Sequence, residues 1–246
     1  MAKLKLYVMK IGQINLPDKG HMTPGSGVGQ PISMPAYCYL IEHEKGIVLV
    51  DTGEENGGPA VASEEEYCYN QIEKIGYKPD DIDYVVMTHL HVDHAAFMNK
   101  FPNSTFIVRN EELKAAWWPE KCEKGYVYDH YRDTRDFDFI QPCDDEEYDV
   151  FGDGTVVLVD TKGHTRGHQS VIVNLENSGK FVLASDAAAL EENLEAKIQP
   201  GYCSNPWFAM RSLDKLENYK RAGYKILFGH DVEQEKELKI FPEYYD

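Results

Sequence analysis

The stretch Tyr84-Val85-Val86-Met87-Thr88-His89-Leu90-His91-Val92-Asp93-His94 decides how this chain is read. An apolar run ends, and three imidazoles and a carboxylate follow within six positions. Imidazole and carboxylate donors together suit zinc, iron, manganese or cobalt. Alternation points His89 and His91 the same way, and a turn at Asp93-His94 aims two more donors at a neighbouring point. A lone histidine is more often a hydrogen-bonded structural residue. A cluster this dense, in a chain with nine histidines, predicts a metal site instead.

Outward from the cluster the same arrangement recurs, an apolar run followed by a candidate donor. Val156-Val157-Leu158-Val159 leads to Gly163-His164-Thr165-Arg166-Gly167-His168, where His164 and His168 compete and His168 is preferred. Phe181-Val182-Leu183-Ala184-Ser185 leads to Asp186, and Ile226-Leu227-Phe228-Gly229 leads to His230. Val48-Leu49-Val50 runs into the turn Asp51-Thr52-Gly53. Together with the first cluster, these strand-end residues complete two adjoining metal sites.

The remaining pattern is strand-rich. Strands are predicted at 3–11, 36–43, 46–50, 83–88, 104–109, 155–159, 169–175, 181–185 and 225–228. A capping-box pattern at Ser63-Glu64-Glu65-Glu66 opens a helix that ends at Gly76. Shorter helices fit 110–116 and 211–222. This order suits two packed sheets with helices outside, in a single domain over 1–246. Lys3-Leu4-Lys5-Leu6 alternates as a strand does and lacks the apolar centre of a signal peptide. No apolar run reaches the roughly 18 residues of a membrane span, so the cytoplasm is expected. The Gly- and Pro-rich stretch 12–35 and the aromatic stretch 117–131 are candidate walls for a substrate.

Composition narrows the partners. Lys and Arg number 25 against 42 Asp and Glu, a formal charge of −17, which repels nucleic acid and anionic membranes. The five cysteines are odd in number and none is spaced Cys-x-x-Cys, which predicts reduced, packing thiols. There is no Gly-x-Ser-x-Gly elbow and no phosphate-binding loop.

With these residues in place, the chain resembles the metallo-β-lactamase superfamily, and within it the N-acyl homoserine lactonases. The wider likeness rests on Asp51-Thr52-Gly53, His89-x-His91-x-Asp93-His94, His168, Asp186 and His230. The narrower one rests on Pro35 to Leu40, Gly76 to Asp81, Gly163 to Ser170, Phe228 to Lys236 and Phe241-Pro242-Glu243-Tyr244. The resemblance implies an α/β fold, an αββα sandwich of two mixed sheets with helices outside. It implies two divalent cations, zinc first, with iron, manganese or cobalt as alternatives. His89, His91 and His168 would hold one, and Asp93, His94 and His230 the other. Asp186 would bridge them, and Asp51 would orient a donor histidine or cap its turn.

The activity implied is opening of the lactone ring of N-acyl homoserine lactones by a water or hydroxide shared between the metals, with Asp93 moving the proton. The substrate is then a small neutral molecule. Hydrolysis of another ester, a thioester or a phosphodiester is the alternative; a di-iron electron carrier would usually need a flavin partner domain, and the full donor set weighs against a binding protein. One departure stands out. The lactonase pattern has a tyrosine three residues after the bridging aspartate, and this chain has Ala189 there. By residue type, Tyr202, Tyr37 and Tyr39 are candidate substitutes.

Overall fold

A computed structural model describes residues 4–57 and 59–246; Met1 to Lys3, with which the first expected strand begins, lie outside the described residues. Strand β1 (Lys5–Leu16) and strand β2 (Ile32–His43) form a long antiparallel hairpin, and β3 (Gly46–Val50) returns beside β2. The short β4 (Ala60–Val61) edges β1. Strands β5 (Tyr84–Val86), β6 (Thr105–Ile107) and β7 (Phe139–Ile140) add on parallel to β3, giving a seven-stranded sheet ordered β4-β1-β2-β3-β5-β6-β7. The second sheet has five strands: β8 (Tyr148–Asp149), β9 (Val156–Asp160), β10 (Gln169–Leu175), β11 (Gly179–Ser185) and β12 (Lys225–Phe228), with only β11 and β12 parallel.

The strand period of two sorts the core. Leu6, Val8, Val48, Val50 and Val86 face Val156, Leu158, Val171, Phe181 and Leu183, and this layer holds the two sheets together. The intervening residues Met9, Ile11, Leu49, Val85 and Met87 face outward, onto Ile72 of helix α1 (Cys68–Ile75). On the far side, Ile172, Val182 and Ile226 pack against Leu213 and Leu216 of helix α6 (Pro206–Arg221). Between these come α2 (Val92–Ala95), α3 (Asn110–Trp117), α4 (Tyr128–Tyr131) and α5 (Glu191–Glu195), and α7 (Val232–Glu235) follows. The result is the expected helix–sheet–sheet–helix sandwich. Among the described residues, no helix is long and apolar enough to cross a membrane.

Three boundaries differ from the sequence reading. The helix expected from Ser63 is split: the capping box forms, but over a one-turn 3-10 helix (Glu64–Glu66), and extended Tyr67 separates it from α1. Helix α6 starts five residues before the expected 211, where the Asn205 side chain accepts from the Phe208 N–H and Pro206 takes the first turn. The stretch 12–35 is partly regular, because the hairpin continues past a bulge at Lys10/Gly12 and pairs Gln13 with Pro35.

Candidate metal centre

Every candidate donor leaves the end of a strand or the turn after it. Beyond β5, His89 and His91 precede the single turn of α2, which carries Asp93 and His94. The loop after β9 carries His164, the turn after β11 carries Asp186, and the turn after β12 carries His230. These ends meet, and the donors fall into two groups. His89, His91 and His164 form one; Asp93, His94, Asp186 and His230 form the other, with the ligand atoms of each group within 4.8 Å of one another. The two adjoin directly, since His164 Nε2 lies 3.4 Å from Asp186 Oδ2 while Asp186 Oδ1 lies 3.2 Å from His230 Nε2. Asp186 thus offers one oxygen to each group.

The sequence expectation of His168 is corrected here: the structure puts His164 in the first group. His164 Nε2 is 2.9 Å from His91 Nδ1. His168 instead sits just before β10, its carbonyl accepting from the Thr161 N–H and its Nδ1 lying 3.0 Å from Thr161 Oγ1. Its ring stands behind His89, 5.1 Å away centre to centre.

The imidazoles are held by their far nitrogens. His164 Nδ1–H donates to the Gly201 carbonyl and His230 Nδ1–H to the Pro35 carbonyl, each at 2.9 Å. His94 Nδ1 lies 2.8 Å from Asp51 Oδ2, and His89 Nδ1 lies 3.1 Å from Thr88 Oγ1. Each contact fixes a tautomer whose other nitrogen carries a lone pair into the centre, the arrangement by which proteins orient metal-binding imidazoles. Asp51 is a hub, since it also accepts from the Thr88 N–H and hydroxyl. It does so at φ +59°, a strained angle for a residue with a Cβ.

Whether a cation fits is decided by the atoms left over. The Nε2 atoms of His89, His94, His168 and His230 and Oδ1 of Asp186 are buried without a hydrogen-bond partner. Such groups are rare in folded proteins because leaving them unpaired costs about 1–3 kcal/mol each. His94, His230 and Asp186 belong to one donor group and His89 to the other, which fits a divalent cation at each. The titration behaviour agrees. Burial alone would lower the His230 pKa, but Asp186 and Asp93 beside it raise it to about 10. Burial likewise opposes a proton on His94, yet Asp93 and Asp51 hold it well above the usual histidine range. The carboxylates thus favour positive charge on these rings. His89 has no such partner, and burial and neighbouring imidazoles push it well down.

Glycines let the loop carrying His164 come this close. A Cβ on Gly167 would lie 2.2 Å from the Glu112 backbone nitrogen, and one on Gly163 would lie 2.2 Å from that of Ala209. Glu112 itself is fully buried and accepts from the Leu90 and Gly167 N–H groups and the Tyr126 hydroxyl, tying the His89–His91 segment to the His164 loop. Sequence reasoning missed it, because an acidic residue in the first turn of a helix reads as an exposed dipole partner. Gly167→Ala is expected to cost about 1–3 kcal/mol by overpacking and to weaken metal retention, read as a lower Tm and a lower metal content after dialysis. An unchanged Tm would show that the loop yields without strain.

A cavity of about 230 Å³ opens onto the centre. Ile14, Leu16, Met22 and Met34 line one side, so the stretch 12–35 supplies an apolar wall. The stretch 117–131 contributes Gly125, while Trp117 and Tyr131 pack in the core and Trp118 is exposed. Tyr202 lines the cavity, whereas Tyr37 and Tyr39 point into the layer between the sheets. Ala189 is fully buried in the same core cluster as Met22 and Met34. A carboxyl the sequence reading did not single out, Glu54, also lines the cavity.

Known proteins share this arrangement. The family model of the metallo-beta-lactamase superfamily matches residues 33–230, which include every donor named above. The chain is 33% identical to the N-acyl homoserine lactonase AttM of Azorhizobium caulinodans, over the full length of both. It is 34% identical to the N-acyl homoserine lactonase AiiA of Bacillus thuringiensis subsp. kurstaki, over 99% of this chain and all of that one. A solved N-acyl homoserine lactone hydrolase, with the product N-hexanoyl-L-homoserine at its catalytic metal centre, superposes with a TM-score of 0.88 and 32% identity over 100% of both chains.

Proposed function

The chain belongs to the metallo-beta-lactamase superfamily, and on that premise we propose that it hydrolyses the lactone ring of N-acyl homoserine lactones at a two-metal centre. The observation that carries this reading is the pair of donor groups joined through Asp186 at the floor of an apolar cavity. We assign His89, His91 and His164 to one divalent cation and Asp93, His94 and His230 to the other, with Asp186 reaching both. Zinc suits this nitrogen-rich set, and iron, manganese and cobalt share its preferences. When bound, the cations polarise the ester carbonyl and acidify water.

The protein's own groups do the rest. The apolar wall of Ile14, Leu16, Met22 and Met34 takes the acyl chain and keeps bulk water from the reacting carbonyl. Asp93 lies within 3.5 Å of His94 Nε2 and His230 Nε2 and is the partly accessible carboxylate of its group. It receives a proton from the attacking water as the new C–O bond forms. It returns that proton to the ring oxygen as the ring C–O bond breaks, leaving an N-acyl homoserine. We place the reaction in the cytoplasm, in keeping with five free cysteines.

The test is a hydrolysis screen of metal-loaded protein against N-hexanoyl homoserine lactone, a thioester and a phosphodiester, followed by release of acid. Lactone opening that a chelator abolishes and added metal restores is expected. Metal content and activity should fall together as pH is lowered, because imidazole donors must be neutral to bind. Turnover of the phosphodiester with none of the lactone would overturn the reading.

A further inference from the structure

Two polar side chains line the cavity without belonging to either donor group, Glu54 and Tyr202. Glu54 is the one whose position needs an explanation. It follows the Asp51-Thr52-Gly53 turn and is 5% exposed. Its surroundings in the cavity wall include Met22, Met34 and Pro59. What acts on its carboxyl is burial and charge, from Asp93, His230 and His94, and no hydrogen-bond donor reaches it among the described residues. Burial and Asp93 raise its pKa to about 8.

The contrast with Glu112 is instructive. That carboxyl is more deeply buried still, but three donors from the protein satisfy it. Glu54 has a cavity where Glu112 has partners. An apolar side chain would fill the place of Glu54 without the cost of desolvating a carboxyl. A buried polar group is ordinarily paired, whereas Glu54 lines the cavity.

The chemistry of an N-acyl lactone restricts what partner it can offer Glu54. Its ester and amide oxygens are acceptors, and its amide N–H is the sole donor. That nitrogen sits on the carbon next to the reacting carbonyl. Glu54 lines the same cavity as the donors Asp93, Asp186 and His230. In either protonation state the carboxyl offers an acceptor oxygen. We propose that Glu54 is a specificity residue that accepts the substrate's amide N–H and so separates N-acylated lactones from lactones without an amide. This extends the lactonase reading and rests on it.

The test compares metal-loaded wild type, Glu54→Leu and Glu54→Gln on N-octanoyl homoserine lactone and on γ-decalactone, which has the ring and an alkyl chain but no amide. Glu54→Leu should lower kcat/KM on the acylated lactone by about tenfold to a hundredfold, the range for a buried N–H donor left without its acceptor. On γ-decalactone the change should stay within about threefold. Glu54→Gln keeps an acceptor and should recover most of the loss. Metal content, measured by elemental analysis, should match wild type in both variants. Equal losses on the two lactones, no loss on either, or loss of metal would overturn the role of Glu54 and leave the lactonase reading standing. A wild type that opens neither lactone would remove both.

Discussion

His164→Ala is expected to strip metal from the first donor group and to lower kcat/KM for lactone hydrolysis by at least about a hundredfold, whereas His168→Gln should retain metal content close to that of the parent. The asymmetry follows from where the two rings are anchored. His164 Nδ1 is held by the Gly201 carbonyl, and its Nε2 stands 2.9 Å from His91 Nδ1 and 3.4 Å from Asp186 Oδ2. Removing it deletes a donor from one group and a contact to the carboxylate shared with the other. A cation supplies several kcal/mol of transition-state stabilisation, and each 1.36 kcal/mol is a factor of about ten in rate. His168 is held by Thr161 just before β10, and glutamine preserves most of its volume and a hydrogen-bonding group there. Elemental analysis of the purified variants, read beside their kinetics and Tm, decides the matter. Metal lost from His168→Gln and kept in His164→Ala would reverse the assignment.

That reversal of expectation marks the limit of what is legible from residue order. Fold class was readable because the signal is local: alternating apolar runs that end abruptly in His or Asp. The β5–α2 cluster was readable for the same reason, with its donors only one or two residues apart. Gly163-His164-Thr165-Arg166-Gly167-His168 is different, because two histidines four apart flank a loop whose curl is set from outside. That curl depends on close approach to Glu112 and Ala209, and on the Gly201 carbonyl 37 residues onward. Glu54 was invisible for a related reason: what matters is not its residue type but the absence of donors around it. The start of α6 could have been read, since Asn205-Pro206 is a cap followed by a first-turn proline. The apolar wall over 12–35 could not, because the long hairpin that positions it pairs residues about 20 apart across a bulge.

The two central carboxylates are expected to separate on substitution by asparagine. Asp186 presents Oδ2 to His164 at 3.4 Å and Oδ1 to His230 at 3.2 Å and His94 at 3.6 Å. Its two oxygens serve different groups, so replacing either by an amide NH2 sets a donor against one cation. Asp186→Asn should therefore lose metal and about a thousandfold in turnover together. Asp93 faces one group only, through Oδ2, and its side chain keeps 18% exposure toward the cavity. Asparagine there retains an oxygen for the cation but cannot accept and return a proton. Asp93→Asn should keep most of its metal and still lose about a hundredfold to ten-thousandfold in kcat, the range for a positioned general acid–base. Metal content at equal protein concentration is the deciding measurement, since it distinguishes a lost proton carrier from a lost ligand. Equal metal loss in the two variants would remove the case for proton transfer by Asp93 and make it a ligand alone.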